Sequence, residues 1–203
     1  MTGIIDYGVG KLFSLSSSIK AIGEEVISSS DKKELKQADR LILPGVGAFC
    51  DAAKKLAQYN LSEIVKEIAK EKALLGICLG MQLLFEESYE FGKHKGLGIL
   101  KGKAFPIKED IKEDLKIPHI GWNELKITKK DSKLFKGINN GDFVYFVHSY
   151  YIKGCEDSLL ATTDYSIPIT AAVEKGNIYG CQFHPEKSGE VGLKILSNFC
   201  NKE

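Results

Sequence analysis

Along the first half of the chain, short uninterrupted apolar runs alternate with stretches whose apolar residues recur at helical spacing. A strand buried on both faces reads as a continuous apolar run, and the helix that covers it shows a single apolar stripe, so this alternation predicts βα units feeding a parallel sheet. Strands are predicted at Gly3 to Asp6, Glu25 to Ser28, Arg40 to Leu43 and Leu74 to Cys78. Helices are predicted at Leu12 to Ile22, Ala48 to Gln58, Ser62 to Glu71 and Met81 to Glu87. After Gly96 the texture shifts to shorter β-rich segments with Gly and Asn-Gly turns, such as Asn140-Gly141 before the run Asp142 to Val147. A late strand, Asn177 to Phe183, and a helical pattern from Gly189 to Phe199 close the chain. The expected fold is α/β, an open mostly parallel sheet flanked by helices with antiparallel additions, in a single domain over residues 1–203.

Charge and composition narrow the function. Lys+Arg 28 against Asp+Glu 27 leaves a formal net charge of +1, so no basic field exists to neutralise a phosphate backbone, and nucleic acid is not expected as a partner. The longest nearly apolar stretch, Ala73 to Phe85, is well short of the ~20 residues that span a bilayer. No membrane association is expected, and without a basic leader before an apolar segment the expected location is cytoplasmic. Cys50, Cys78, Cys155, Cys181 and Cys200 are scattered, without the spacing of a zinc site or a disulfide framework. No metal and no cofactor is expected.

One of these cysteines stands apart. Gly76-Ile77-Cys78-Leu79-Gly80 falls where a buried strand gives way to a helix, the arrangement of a nucleophile elbow with Cys in place of Ser. The flanking glycines relieve crowding in a sharp turn, and the helix N-terminus favours negative charge on the sulfur. Taken alone, the same residues fit a buried strand cysteine beside two strand-ending glycines. Among four histidines, His184 is the best base, because it ends the late strand and precedes Pro185 and Glu186. Glu186 on one ring nitrogen would leave the other facing the thiol. Pro44-Gly45-Val46-Gly47, between a strand and a helix, can turn backbone N–H groups toward an oxyanion, with Leu79 adding another. By itself it is equally a tight βα turn. Asp6-Tyr7-Gly8-Val9-Gly10-Lys11 is not a phosphate loop, since Ile5 stands where its first glycine belongs and no Ser or Thr follows Lys11.

With Cys78, His184 and Glu186 in hand, the chain resembles the class I, or triad, glutamine amidotransferases, whose elbow reads like Gly76 to Gln82 here. In more detail it resembles the glutaminase subunits of imidazole glycerol phosphate synthase in histidine biosynthesis. That match rests on Pro44 to Phe49, Pro118 to Asn123, Tyr145 to Tyr150 and His184 to Ser188, and it covers effectively the whole chain. The resemblance implies a glutaminase that uses a Cys-His-Glu triad, forms a heterodimer with a (β/α)8 cyclase subunit and passes ammonia to it. It implies that Gln82, Glu90, Ser149 and Tyr150 hold the glutamine, that Gly45, Val46 and Gly47 line the oxyanion strand, and that Trp122, Asn123 and Lys187 meet the cyclase. Lys11 departs from the family, which usually has Asn there, and lies near the expected interface. The alternatives are a related subunit serving another acceptor such as a modified sugar, a non-catalytic regulatory subunit, or a free-standing γ-glutamyl hydrolase.

Overall fold

The computed structural model describes residues 1–9 and 12–201. The first half runs β1 (Thr2–Ile5), α1 (Leu12–Ala21), β2 (Val26–Ser29), α2 (Lys32–Gln37), β3 (Arg40–Leu43), α3 (Phe49–Gln58), α4 (Leu61–Ile68), β4 (Ala73–Ile77) and α5 (Leu79–Leu83). A β-rich part follows: β5 (Glu87–Ser88), β6 (His94–Lys95), β7 (Lys103–Pro106), β8 (His119–Glu124), β9 (Lys126–Ile127), β10 (Phe143–His148), β11 (Tyr150–Lys153), β12 (Leu159–Asp164) and β13 (Pro168–Lys175). Then come β14 (Ile178–Cys181) and α6 (Gly189–Cys200).

The main sheet has the order β2-β1-β3-β4-β14-β13-β12-β9. Its strands are parallel from β2 through β14 and antiparallel beyond, as the hydrophobic pattern predicts. Successive side chains on a strand point to opposite faces. Ile5, Leu41 and Leu74 pack with Leu35, Phe49, Leu56 and Ile64 of α2, α3 and α4. Their neighbours Ile4, Ile42 and Leu75 pack with Leu15 and Ile19 of α1 and Ile195 and Leu196 of α6. Each such side chain contributes about 1.5–3 kcal/mol by leaving water, which holds both helical layers to the sheet. None of the helices among the described residues is long and apolar enough to cross a membrane.

Three elements differ from expectation. The helix expected from Met81 to Glu87 begins at Leu79 and stops at Leu83, because Leu97, Ile99 and Gly98 donate to the carbonyls of Leu83, Leu84 and Phe85. The helix expected to reach Glu71 ends at Ile68, where Asn177 Nδ2 takes the carbonyls of Ala69 and Lys72. Helix α2 was not expected. It buries Leu35 and is held at its start by Asp31, whose carboxylate accepts from Lys33 N and Glu34 N. The β-rich half also does more than extend the main sheet. β8 and β10 form a separate antiparallel ribbon, and β11, β7, β5 and β6 a small sheet. The ribbon meets the main sheet where β14 ends, through a 2.9 Å bond from His184 N to Tyr145 O.

Candidate active site

β3, β4 and β14 are neighbours, and their carboxyl ends carry the Pro44–Gly47 loop, Cys78 and His184 respectively. Cys78 has φ 54° and ψ −116°, a conformation that costs an L-residue about 1–3 kcal/mol and persists only where its surroundings enforce it. Here its N–H donates to Cys181 O at 2.7 Å, and its carbonyl accepts from Met81 N and Gln82 N at 3.0 and 3.2 Å. The turn is tight enough that a Cβ on Gly80 would stand 1.9 Å from Leu43 O, and one on Gly45 would stand 2.6 Å from Gly80 N. The loop after β3 therefore lies backbone to backbone on the start of α5. Tyr7, fully buried, fastens it by donating from its hydroxyl to Pro44 O at 2.7 Å. Burial, helped by the charge at Cys78, pushes the Tyr7 phenol up, so it remains a donor.

The base is built as compactly. His184 Nδ1 lies 2.8 Å from Glu186 Oε1 across the turn Pro185–Lys187, and the imidazole shares one cavity with Cys78, whose thiol is directed at Val147 O across 3.9 Å. Ser188 secures the turn, donating to His184 O and accepting from Tyr145 N. Burial alone would lower the His184 pKa, but the neighbouring Cys78 and Glu186 side chains outweigh it and hold the ring up at about 9. Glu186 Oε2 is buried and has no hydrogen-bond partner among the described residues, so its carboxylate is balanced chiefly by the imidazole.

A fourth polar group reaches the sulfur. Gln182, completely buried, points Nε2 at Cys78 Sγ across 3.8 Å and accepts at Oε1 from Gln82 Nε2 at 2.9 Å. Gln82 Nε2 also donates to Tyr150 O at 3.2 Å. Sequence reasoning passes over both Gln182 and Tyr7. The signal available for Gln182 is a lone amide in the otherwise apolar end of a central strand, where a polar side chain needs a specific partner.

Cys78, Leu79, His184, Val46, Gly47, Gln82, Glu90, Ser149, Tyr150 and Lys187 all line one cavity of about 380 Å³, within the range of small-molecule sites. Gly45 packs behind the loop and Glu186 behind His184. Glu90 Oε2 accepts from Phe49 N at the head of α3. Trp122 stands outside the cavity, 54 % exposed on the ribbon. Asn123 occupies the ribbon's opposite face, bonded to His119 and to Asp164 O, and so does not share a surface with Trp122. Lys11 lies outside the described residues. A larger hollow of about 820 Å³ near Arg40 and Asn198 has no cysteine or histidine among its described lining residues. Among the described residues no group of His, Cys, Asp and Glu is arranged to hold a metal ion.

Known proteins share this arrangement of chain. The family described as glutamine amidotransferase class-I matches residues 4–202. Imidazole glycerol phosphate synthase subunit HisH of Caldanaerobacter subterraneus subsp. tengcongensis is 54 % identical, with 98 % of this chain and 97 % of the relative covered. The subunit of the same name from Aquifex aeolicus is 50 % identical, covering 99 % and 96 %. Among solved structures, PurLQS from Thermotoga maritima superposes with a TM-score of 0.73 at 19 % identity over 98 % of this chain and 96 % of that one. The glutaminase domain of Trypanosoma brucei CTPS gives 0.63 at 18 % identity, covering 100 % and 94 %. At such identities these two likenesses concern the fold alone. By the family match over nearly its whole length, the chain belongs to the class-I glutamine amidotransferases.

Proposed function

We propose that this chain is the glutamine-hydrolysing subunit of imidazole glycerol phosphate synthase, releasing ammonia for a (β/α)8 cyclase subunit in histidine biosynthesis. The observation that carries the reading is the meeting of Cys78, the His184–Glu186 pair and the Gly45–Gly47 loop at the ends of three adjacent strands. Identity of about half the residues to HisH subunits, over nearly their whole length, supports the choice of synthase.

In this reading Cys78 Sγ attacks the carboxamide carbon of glutamine. The oxyanion meets the N–H of Leu79 in the first turn of α5 and N–H groups of the Gly45–Gly47 loop, and Gln182 Nε2 steadies the sulfur. The C–N bond breaks as His184 gives its proton to the departing nitrogen, leaving a γ-glutamyl thioester on Cys78. Water, deprotonated by His184, attacks the thioester carbon, and glutamate leaves with the thiol restored. Glu90 Oε2 is already bonded to Phe49 N, which holds the carboxylate at the cavity edge and leaves Oε1 for the substrate α-ammonium. Gln82, Ser149 and Tyr150 form the facing wall.

Ammonia in neutral water is mostly ammonium and cannot act as a nucleophile, so a dry passage to a partner is chemically useful. Ile120, Trp122 and Phe143, between 54 and 58 % exposed on one face of the ribbon, give such a partner an apolar seat. Lys187 lies beside it, its Nζ 5.8 Å from the Tyr145 ring centre. Glutamate release by the chain, alone and with the cyclase of the same organism plus acceptor nucleotide, tests the proposal. Strong stimulation that disappears in Cys78→Ala is expected. Turnover persisting in that variant would end the reading, and turnover without stimulation would assign the ammonia to another acceptor.

A further inference from the structure

The inward face of the ribbon carries two histidines that the mechanism above does not use. His119 lies between the rings of Phe146 and Tyr165, with centroid distances of 4.8 and 4.2 Å, and both His119 and His148 are buried. A buried ring nitrogen without a partner is destabilising, so two imidazoles in such a place call for a specific arrangement.

Their hydrogen bonds provide it, and the direction of the chain is fixed independently from each end. At the inner end His148 Nδ1 lies 2.9 Å from Tyr150 O. A carbonyl only accepts, so Nδ1 carries the hydrogen and Nε2 of the neutral ring is an acceptor. At the outer end Asn123 Oδ1 accepts from Glu124 N and Nδ2 donates to Asp164 O, each at 2.8 Å, which settles the orientation of the amide. Nδ2 thus offers its second hydrogen to His119 Nε2 at 3.3 Å, making Nε2 the acceptor and Nδ1 the N–H. At the central contact, His119 Nδ1 to His148 Nε2 at 3.0 Å, a donor therefore faces an acceptor. A second proton on either ring would set hydrogen against hydrogen at one link. Burial lowers both pKa values in the same sense, to about 4 for His119 and about 3 for His148.

The chain ends on the carbonyl that also receives Gln82 Nε2, and Gln82 leads through Gln182 to the Cys78 sulfur. We propose that His119 and His148 are positioning residues for glutamine hydrolysis, two neutral Nδ1–H imidazoles that tie Asn123 in the ribbon to the Tyr150 carbonyl and thereby fix the Ser149–Tyr150 wall of the cavity. The proposal rests on the glutaminase reading, and its test separates the two.

Nitrogen-15 NMR of the imidazoles in the full chain at neutral pH is expected to show both rings neutral and protonated on Nδ1, the minor form of a free imidazole in water. An Nε2–H tautomer or a cation at either position overturns the hydrogen-bond chain whatever the activity. In glutamine kinetics with the cyclase present, His148→Leu removes the donor to Tyr150 and is expected to raise KM about tenfold, with kcat less affected. His148→Asn places an amide N–H where Nδ1 stood and should recover most of that loss. If His148→Leu does not fold, His148→Gln, which lacks a donor at the Nδ1 position, replaces it in the comparison. Equal kinetics for the variants with and without that donor would overturn the positioning role. Absence of turnover in the wild-type complex would overturn the glutaminase reading and the positioning role together, while the tautomers alone decide the bond chain.

Discussion

His184 sits between two groups that both favour its proton, Cys78 on one edge and Glu186 on the other, and the ring is held up at about 9 despite its burial. It is therefore cationic across the neutral range, ready to protonate departing ammonia, and loses that proton as pH rises through about 9. The rate of thioester formation, measured as ammonia released in a single turnover, should fall above that pH. Glu186→Gln removes one of the supporting partners, so the alkaline limb should move to lower pH; a limb that stays put would remove Glu186 from this role. These residues could be singled out from sequence because their signals are local: a Gly-x-Cys-x-Gly turn and a His-Pro-Glu tripeptide. Gln182 and Tyr7 could not be found that way. Each meets its partner, the Cys78 sulfur or the Pro44 carbonyl, only after distant strands have come together.

The loop after β3 and the start of α5 are in effect one piece of machinery, since Gly45 and Gly80 let their backbones touch. Gly80→Ala would drive a methyl into the Leu43 carbonyl, and backbone cannot give way as a flexible side chain does. Overpacking of this kind typically costs about 1–3 kcal/mol. The variant is expected to lower the midpoint of denaturant unfolding and, by displacing the loop N–H groups, to reduce glutamine turnover about 10²-fold or more. Normal values for both would show that the contact is not needed. Hydrophobic periodicity marked most core elements but fared less well at their ends. Helix α5 stops where the loop Leu97–Ile99 captures its carbonyls, a tertiary event with no local trace. Helix α2 has Leu35 as its buried residue and hence no stripe to read, although Asp31 followed by Glu34 is the spacing of a capping box.

The apolar seat formed by Ile120, Trp122 and Phe143 adjoins the ribbon's bonds to the His184 turn, so a partner docked there would press on the base as well as on the surface. Trp122→Ala should weaken binding of the cyclase roughly 30-fold, the loss typical of a buried aromatic anchor, while leaving the isolated chain folded. Titration calorimetry giving unchanged affinity would place the interface elsewhere. The α/β plan and its antiparallel extension were legible because each central strand is apolar on both faces; the ribbon and the small sheet were not, because their short alternating segments pair over distances that no local pattern encodes. The position of β14 has a further consequence. The last strand among the described residues is not at an edge; it fills the slot between β4 and β13, supplies the bond to the Cys78 N–H and leads into the base. Folding of β1 through β4 alone therefore leaves the cysteine without the means to use it until β14 has been inserted beside it.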